Sequence, residues 1–127
     1  MKIAAHIAAT LLGLGFIAFS LIILLNLVTP PPPSQMDPLA AQFMGVFAPT
    51  GWLKFVKTFE LIGGVLVLIP RTRNFGLLVL GPIVINIAAF HILVEHGKDF
   101  VPVPLVLGLL ALFLLFCERQ KFAGLLR

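Results

Sequence analysis

Four long apolar stretches, separated by short segments rich in proline, glycine or charged residues, dominate the chain. They cover residues 3–28, 52–69, 75–94 and 101–117. Apolar runs of about 18 residues or more are typical of membrane-spanning helices, because about 20 helical residues cross the hydrocarbon core. The pattern therefore predicts an all-α membrane protein, a bundle of four transmembrane helices forming one domain over residues 1–127.

Composition and charge fit that class. The chain is 60% hydrophobic and only 11% charged, whereas soluble domains carry roughly 25% charged residues. The net charge of +4 comes from basic residues placed between the apolar runs, where they orient helices, so we expect no nucleic-acid partner. The first run is too long for the apolar region of a signal peptide and has no A-x-A-like site close behind it, which favours an uncleaved first span.

The segment between the first and second spans begins with the four prolines Pro30–Pro33, which predict a stiff extended linker. Asp37 then precedes Pro38, the pairing of an N-cap residue with proline at the first helical position. Apolar side chains recur at every fourth position in Leu39–Phe47. We therefore expect a short additional helix in this first extracytoplasmic loop.

Basic residues predict the orientation, since short cytoplasmic loops of membrane proteins are enriched in lysine and arginine. With four spans, the two termini and the turn between the second and third spans share one side, and the other side carries only Lys54 and Lys98. We therefore expect a multi-pass inner-membrane protein with both termini in the cytoplasm and the Glu95–Asp99 loop outside. With three spans the basic residues would be split between the two sides. The basic residues on the cytoplasmic side are Lys2, Arg71, Arg73, Arg119, Lys121 and Arg127.

The second span contains three charged residues, Lys54, Lys57 and Glu60, at steps of three along one broad helical face. A carboxylate in mid-membrane costs on the order of 2.5–3.5 kcal/mol, so such residues are functional candidates. Two plainer interpretations stay open. Lys54 and Lys57 can extend to the headgroups, and Glu60 can be a structural partner of Lys57 or be protonated.

Counting residues from the basic turn compares the depths of polar side chains in the second and third spans. Glu60 and Asn86 both lie about 15 Å from the turn, and Lys54 and His91 about 24 Å. This predicts a polar seam between the two spans. Asn86 and His91 are about 140° apart on a regular helix, so both can join the seam only if it is broad or the helix is kinked. The predicted seam consists of Lys54, Lys57, Glu60, Asn86 and His91.

Small residues and one proline are predicted to serve helix packing. Gly63 and Gly64 continue the face of Glu60 and allow close approach of a neighbouring helix. Gly81 and Pro82 interrupt the third span, where proline removes a backbone hydrogen bond. Ser20, near the outer end of the first span, is of a type that often packs between helices.

The sequence contains no recognisable motif for a metal, a phosphate group or nucleophilic catalysis. His6 and His91 lie at opposite ends of their spans, so they do not form a ligand pair for haem or a metal. Cys117 is the single cysteine, which excludes a disulfide or a redox pair within the chain. No enzymatic activity is assigned from the residues alone.

Several short motifs follow one another along the chain. Gly45–Phe47 and Pro49–Gly51 come first, and Lys57–Gly64 then reads K-x-x-E-x-x-G-G. After the basic turn, Pro82–His91 reads P-I-x-x-N-x-x-x-F-H. In this order the motifs resemble the DoxX-like family of small membrane proteins, and the resemblance covers most of the chain.

The resemblance implies a four-helix integral membrane fold and several kinds of function. The family takes its name from a subunit of an archaeal thiosulfate:quinone oxidoreductase. Other relatives are linked to oxidative-stress complexes, and distant eukaryotic relatives act as membrane chaperones or cargo receptors. Some relatives carry cysteine pairs suited to thiol relay, which a chain with Cys117 alone does not match.

Three functional hypotheses follow. In the first, the seam binds a small amphipathic ligand, a lipid or a membrane segment of a partner protein, and Leu39–Phe47 forms a lid. In the second, the chain is a membrane subunit of a quinone-linked oxidoreductase in which Glu60 and His91 bind a quinone carbonyl. In the third, it is a small transporter working as a homodimer.

Overall fold

The structure, a computed structural model, describes residues 2–29, 32–94 and 102–124. All regular secondary structure in these residues is helical, which confirms the all-α class. The predicted Glu95–Asp99 loop, including its lysine, and Arg127 lie outside the described residues. The helices are α1 (Lys2–Leu24), α2 (Pro38–Phe47), α3 (Trp52–Leu68), α4 (Arg73–Ala89), α5 (Pro102–Cys117) and α6 (Arg119–Ala123).

Helix α1 ends at Leu24, earlier than the apolar run from 3 to 28 predicted. Asn26 adopts the left-handed conformation, with φ of 54°. The amide of Leu27 donates to the carbonyl of Ile22, and the amide of Asn26 donates to that of Ile23. This is the Schellman pattern that ends helices, and asparagine is one of the few residues that tolerate its left-handed position.

The loop helix predicted from Asp37 and Pro38 is confirmed as α2. The Asp37 side chain accepts a hydrogen bond of 3.1 Å from the amide of Leu39, as an N-cap residue does. A single 3₁₀ turn, Pro33–Gln35, precedes this helix. Gly51, with φ of 83°, makes the left-handed joint between α2 and α3.

Helix α4 runs through Gly81 and Pro82 without a break, so the predicted interruption is wrong. Proline removes one hydrogen bond and crowds one carbonyl, and the remaining bonds hold the helix on both sides. The irregular part comes later, as a π-helical turn over Phe90–Val94. There the amide of Phe90 lies between the carbonyls of Asn86 and Ile87, both of which accept from it.

Helices α1, α3, α4 and α5 form a ring in which α1 and α4 each pack against both α3 and α5. Neighbours run antiparallel: Gly13 meets Gly64 across α1 and α3, and Gly76 meets Val67 across α4 and α3. The ring encloses one apolar core. The buried core residues are Ala8, Ala9, Leu12, Phe16, Val67, Leu77, Leu80, Ala111 and Leu114.

Glycines set the close approaches between these helices. A Cβ on Gly64 would lie 3.0 Å from the carbonyl oxygen of Gly13, and one on Gly63 would lie 2.7 Å from the Leu80 side chain. Gly63 and Gly64 therefore lie at close contacts with two different helices, as expected for packing positions. The prediction is wrong for Gly81, whose Cβ would meet no atom within 4 Å, and the adjacent Pro82 is exposed.

Two segments, Ile3–Leu24 and Arg73–Val94, are long and apolar enough to cross a membrane. Helices α3 and α5 are shorter, with 17 and 16 residues. The outside of the ring carries many large apolar side chains, with Ile85 71% exposed. Monomeric soluble proteins rarely expose apolar surface on this scale.

Candidate functional site

An ion pair lies inside the bundle on α3. The Nζ of Lys57 lies 3.2 Å from Oε2 and 3.3 Å from Oε1 of Glu60, one helical turn away. Glu60 is only 2% exposed, whereas the Lys57 side chain keeps 18% of its surface. The structure thus brings together the two central members of the predicted seam.

The two members of the pair lie on neighbouring faces of α3. Lys57 precedes Gly64 by about two turns and shares its face, which packs against Gly13 of α1. Glu60 precedes Val67 by about two turns and shares its face, which packs against Gly76 of α4. The same antiparallel register puts Ser20 of α1 at the level of the pair. Ser20 is fully buried, and its hydroxyl donates to the carbonyl of Phe16 at 2.5 Å. We call Ser20, Lys57 and Glu60 the polar layer.

Asn86 does not join the polar layer, because it is exposed on the outside of α4. It follows the buried Leu77 by nine residues, about half a turn away around the helix. Asn86 also lies at a different depth in the bundle from Glu60, contrary to the prediction from residue counting. The contacts of Gly63 with Leu80 and of Gly76 with Val67 put Ile83, not Asn86, at the level of Glu60.

Lys54 and His91 lie apart from the ion pair. Lys54 is exposed. This agrees with the interpretation that its side chain extends to the lipid headgroups. His91 is half-buried in the π-helical turn, with its ring 5.6 Å from that of Phe90. It lies eight residues beyond Ile83, roughly 12 Å farther along the axis than Glu60. The structure therefore does not bring Glu60 and His91 together.

A continuous series of aromatic rings joins α2 to both α3 and α4. The Phe43 ring lies 5.0 Å from that of Phe90 in the π-helical turn and 4.9 Å from that of Phe47. The Phe47 ring lies 6.2 Å from that of Trp52, where α3 begins. We call this series the aromatic ladder. It consists of Phe90, Phe43, Phe47, Trp52, Phe55 and Phe59.

The aromatic ladder leads into an open groove between α3 and α4. The groove has a volume of about 310 Å³, and every side chain that lines it is apolar. Trp52 lies about one turn outward of the groove on the same face of α3, so the groove points toward α2 and the π-helical turn. We call it the aromatic groove. Its lining residues are Phe55, Val56, Phe59, Val79 and Ile83.

The sequence predicted the apolar repeat of α2 but not what α2 packs against. Phenylalanines at every fourth position show which face of a helix is apolar. They do not show which of several apolar helices that face meets. One available signal was Trp52, the single tryptophan, at the start of the second span.

A second polar cluster lies at the other end of the bundle. Arg73 is 7% exposed, and its Nε donates to the carbonyl of Val67 at 3.0 Å. Both of its terminal nitrogens lie 3.4 Å from Nδ1 of His6. Thr72 donates to the carbonyl of Leu66 at 2.8 Å, so two side chains satisfy the end of α3. In the sequence Arg73 indicated orientation only.

Among the described residues, no group of three or more histidine, cysteine, aspartate or glutamate side chains is arranged to hold a metal ion.

Comparison with known proteins adds one similarity. The chain is 33% identical over 73 residues to the uncharacterized protein YwoB of Bacillus subtilis (strain 168). The match covers 58% of this chain and 46% of YwoB, so it spans about half the length of that relative. No protein-family profile and no solved structure matches the chain.

Proposed function

We propose that the chain is a DoxX-like protein of the inner membrane, in which all four helices of the ring cross the bilayer. The large apolar side chains on the outside support this, since lipid is the solvent that suits them. Helix α3, at 17 residues, reaches roughly 26 Å, near the lower limit for a span. The motifs that resemble the DoxX-like family agree with the proposal.

The distribution of charge supports cytoplasmic termini. The antiparallel ring brings the start of α1, the turn between α3 and α4, and the end of α5 with the following α6 to one end of the bundle. Arg71, Arg119 and Lys121 are exposed in those segments. A basic end of this kind faces the cytoplasm under the positive-inside rule. Helix α2 then lies on the extracytoplasmic side.

The aromatic groove is the binding site in this proposal, and its ligand is a small amphipathic molecule with an apolar body. The observation that best supports this site is the aromatic ladder, which extends from the groove to α2 and the π-helical turn. Apolar walls hold a chain or ring, and a volume of about 310 Å³ is at the small end of ligand sites. A lipid chain and a quinone both fit this description.

The outer end of the groove suits the polar end of such a ligand. The indole N–H of Trp52 is a hydrogen-bond donor on an otherwise apolar ring, a combination favoured at membrane interfaces. His91 lies at about the same level in the π-helical turn that follows α4, and it is half-buried. Helix α2 contacts this end through Phe43 and Phe47, and it acts as the lid. The polar layer, buried inside the bundle, has a structural role in this proposal.

Trp52 fluorescence tests the proposed site, since Trp52 is the single tryptophan. The purified protein is titrated with a short-chain quinone in one arm and with a brominated single-chain phospholipid in the other. Both probes quench tryptophan on contact. We expect saturable quenching in at least one arm, and the arm that saturates shows which class of ligand the groove takes.

Two variants on α4 give this titration a matched control. Ile83→Phe fills the aromatic groove, and we expect it to weaken saturable quenching roughly tenfold, the effect of losing about 1.4 kcal/mol of binding energy. Ile85→Phe makes the same change at a position 71% exposed on the outside, and we expect no effect. Equal binding by the wild type and Ile83→Phe would show that the groove is not the site.

A further inference from the structure

Arg73 is a buried cation without a carboxylate partner among the described residues. Its Nε bonds to the carbonyl of Val67, and both terminal nitrogens face Nδ1 of His6. The ion pairs in the described part of the chain, Lys57 with Glu60 and Lys121 with Glu118, do not include it. Buried charges are generally paired, so an anion beside this guanidinium would stabilise it.

His6 lies between the buried guanidinium of Arg73 and the surface of the protein. A guanidinium only donates hydrogen bonds, so Nδ1 of His6 accepts, and the ring proton lies on Nε2. His6 is itself exposed, which leaves its Nε2–H available to an acceptor. The arrangement is a hydrogen-bond donor with a fixed positive charge directly behind it, and it suits an anionic oxygen.

His6 also lines a groove on the outside of α1. The groove has a volume of about 250 Å³ and is lined by His6, Ile7, Thr10 and Leu11. The Thr10 hydroxyl donates to the carbonyl of His6 at 2.8 Å. With that hydroxyl engaged, the groove presents an apolar strip that runs along α1 away from the imidazole.

We infer that this cluster binds an anionic phospholipid of the cytoplasmic leaflet. The phosphate accepts a hydrogen bond from Nε2 of His6, and one acyl chain lies along Ile7 and Leu11. Arg73 is a positioning residue that supplies charge and fixes the imidazole. Basic pockets on the cytoplasmic side of membrane helices suit such headgroups. The inference rests on the proposed membrane location and does not involve the aromatic groove.

Native mass spectrometry of the protein released from nanodiscs tests this site. The discs contain equal amounts of phosphatidylglycerol, which is anionic, and phosphatidylcholine, which is zwitterionic. We expect the wild type to retain phosphatidylglycerol in roughly five- to tenfold excess, the preference that one nearby positive charge gives. His6→Phe, a change at an exposed position, should bring the ratio close to one.

Two arginine variants separate a specific site from general surface charge. Arg73→Gln and Arg71→Gln remove the same unit charge two residues apart, and Arg71 is exposed in the turn. We expect Arg73→Gln to lose the lipid preference and Arg71→Gln to keep it. The opposite pattern, or an unchanged ratio in His6→Phe, overturns the site.

Two further outcomes separate this inference from its assumptions. Inorganic phosphate added to the wild type should leave the retained phosphatidylglycerol in place. If phosphate displaces the lipid, the site is one for free phosphate and the lipid assignment is wrong. A wild type that enters nanodiscs without any preference overturns the lipid site alone. A chain that does not enter them at all overturns the membrane location.

Discussion

At the scale of single residues, the pair of Lys57 and Glu60 shows how a charge is accommodated inside an apolar bundle. The carboxylate is buried and the ammonium keeps part of its surface. The sequence predicted this pair because i, i+3 spacing alone brings two side chains together on one helix. It could not predict Asn86 correctly. The direction of the Asn86 side chain depends on which face of α4 packs against the core of the ring. The polarity of Asn86 itself does not decide this.

Substitution of either member of the pair should destabilise the bundle by unequal amounts. Lys57→Met leaves Glu60 buried without a partner, and we expect it to lower the free energy of unfolding by about 3 kcal/mol. Glu60→Gln leaves Lys57 able to reach water, and we expect a loss of about 1 kcal/mol. The measurement is SDS-induced unfolding in mixed micelles followed by circular dichroism.

The double variant Lys57→Met/Glu60→Leu is the control for this prediction. It replaces the pair with apolar side chains of similar size and should recover most of the lost stability. If Lys57→Met is as stable as the wild type, Glu60 does not depend on Lys57.

At the scale of helices, backbone approach decides how α4 packs. A Cβ on Gly76 would lie 2.7 Å from the amide nitrogen of Val67 and 2.8 Å from the carbonyl oxygen of Gly63. The sequence predicted the bounds of α3 within a residue or two, because an apolar run between Gly51 and Pro70 leaves little choice. It misjudged Gly81, because a glycine beside a proline has the same local pattern whether or not another helix approaches it.

Two alanine substitutions on α4 separate packing glycines from the others. Gly76→Ala meets backbone atoms that cannot move aside, and we expect it to cost about 1–3 kcal/mol of stability. Gly81→Ala meets nothing, so its effect should stay between zero and a gain of about 1 kcal/mol from helix propensity. Thermal unfolding of both variants in one detergent makes the comparison. Equal melting temperatures would contradict the close crossing of α3 and α4.

At the scale of the whole molecule, the ring brings three binding-related features to different places. The polar layer consists of residues of α1 and α3, the aromatic groove lies between α3 and α4, and the Arg73–His6 cluster lies at the basic end. The hydrophobic pattern predicted four long helices and their order, because segments rich in proline, glycine or charged residues separate the apolar runs. It did not predict the neighbours of α2, because aromatic contacts between distant segments leave no local signal.

Cysteine labelling tests the membrane location and the orientation of the bundle most directly. In a Cys117→Ala background, single cysteines replace Gln35, Arg71 and Gln120, all of them exposed, and a membrane-impermeant maleimide is applied to intact cells. We expect labelling at Gln35→Cys alone, with Arg71→Cys and Gln120→Cys reacting only after the membrane is permeabilised. Labelling of Arg71→Cys from outside, or protection of Gln35→Cys, would contradict a four-span bundle with cytoplasmic termini.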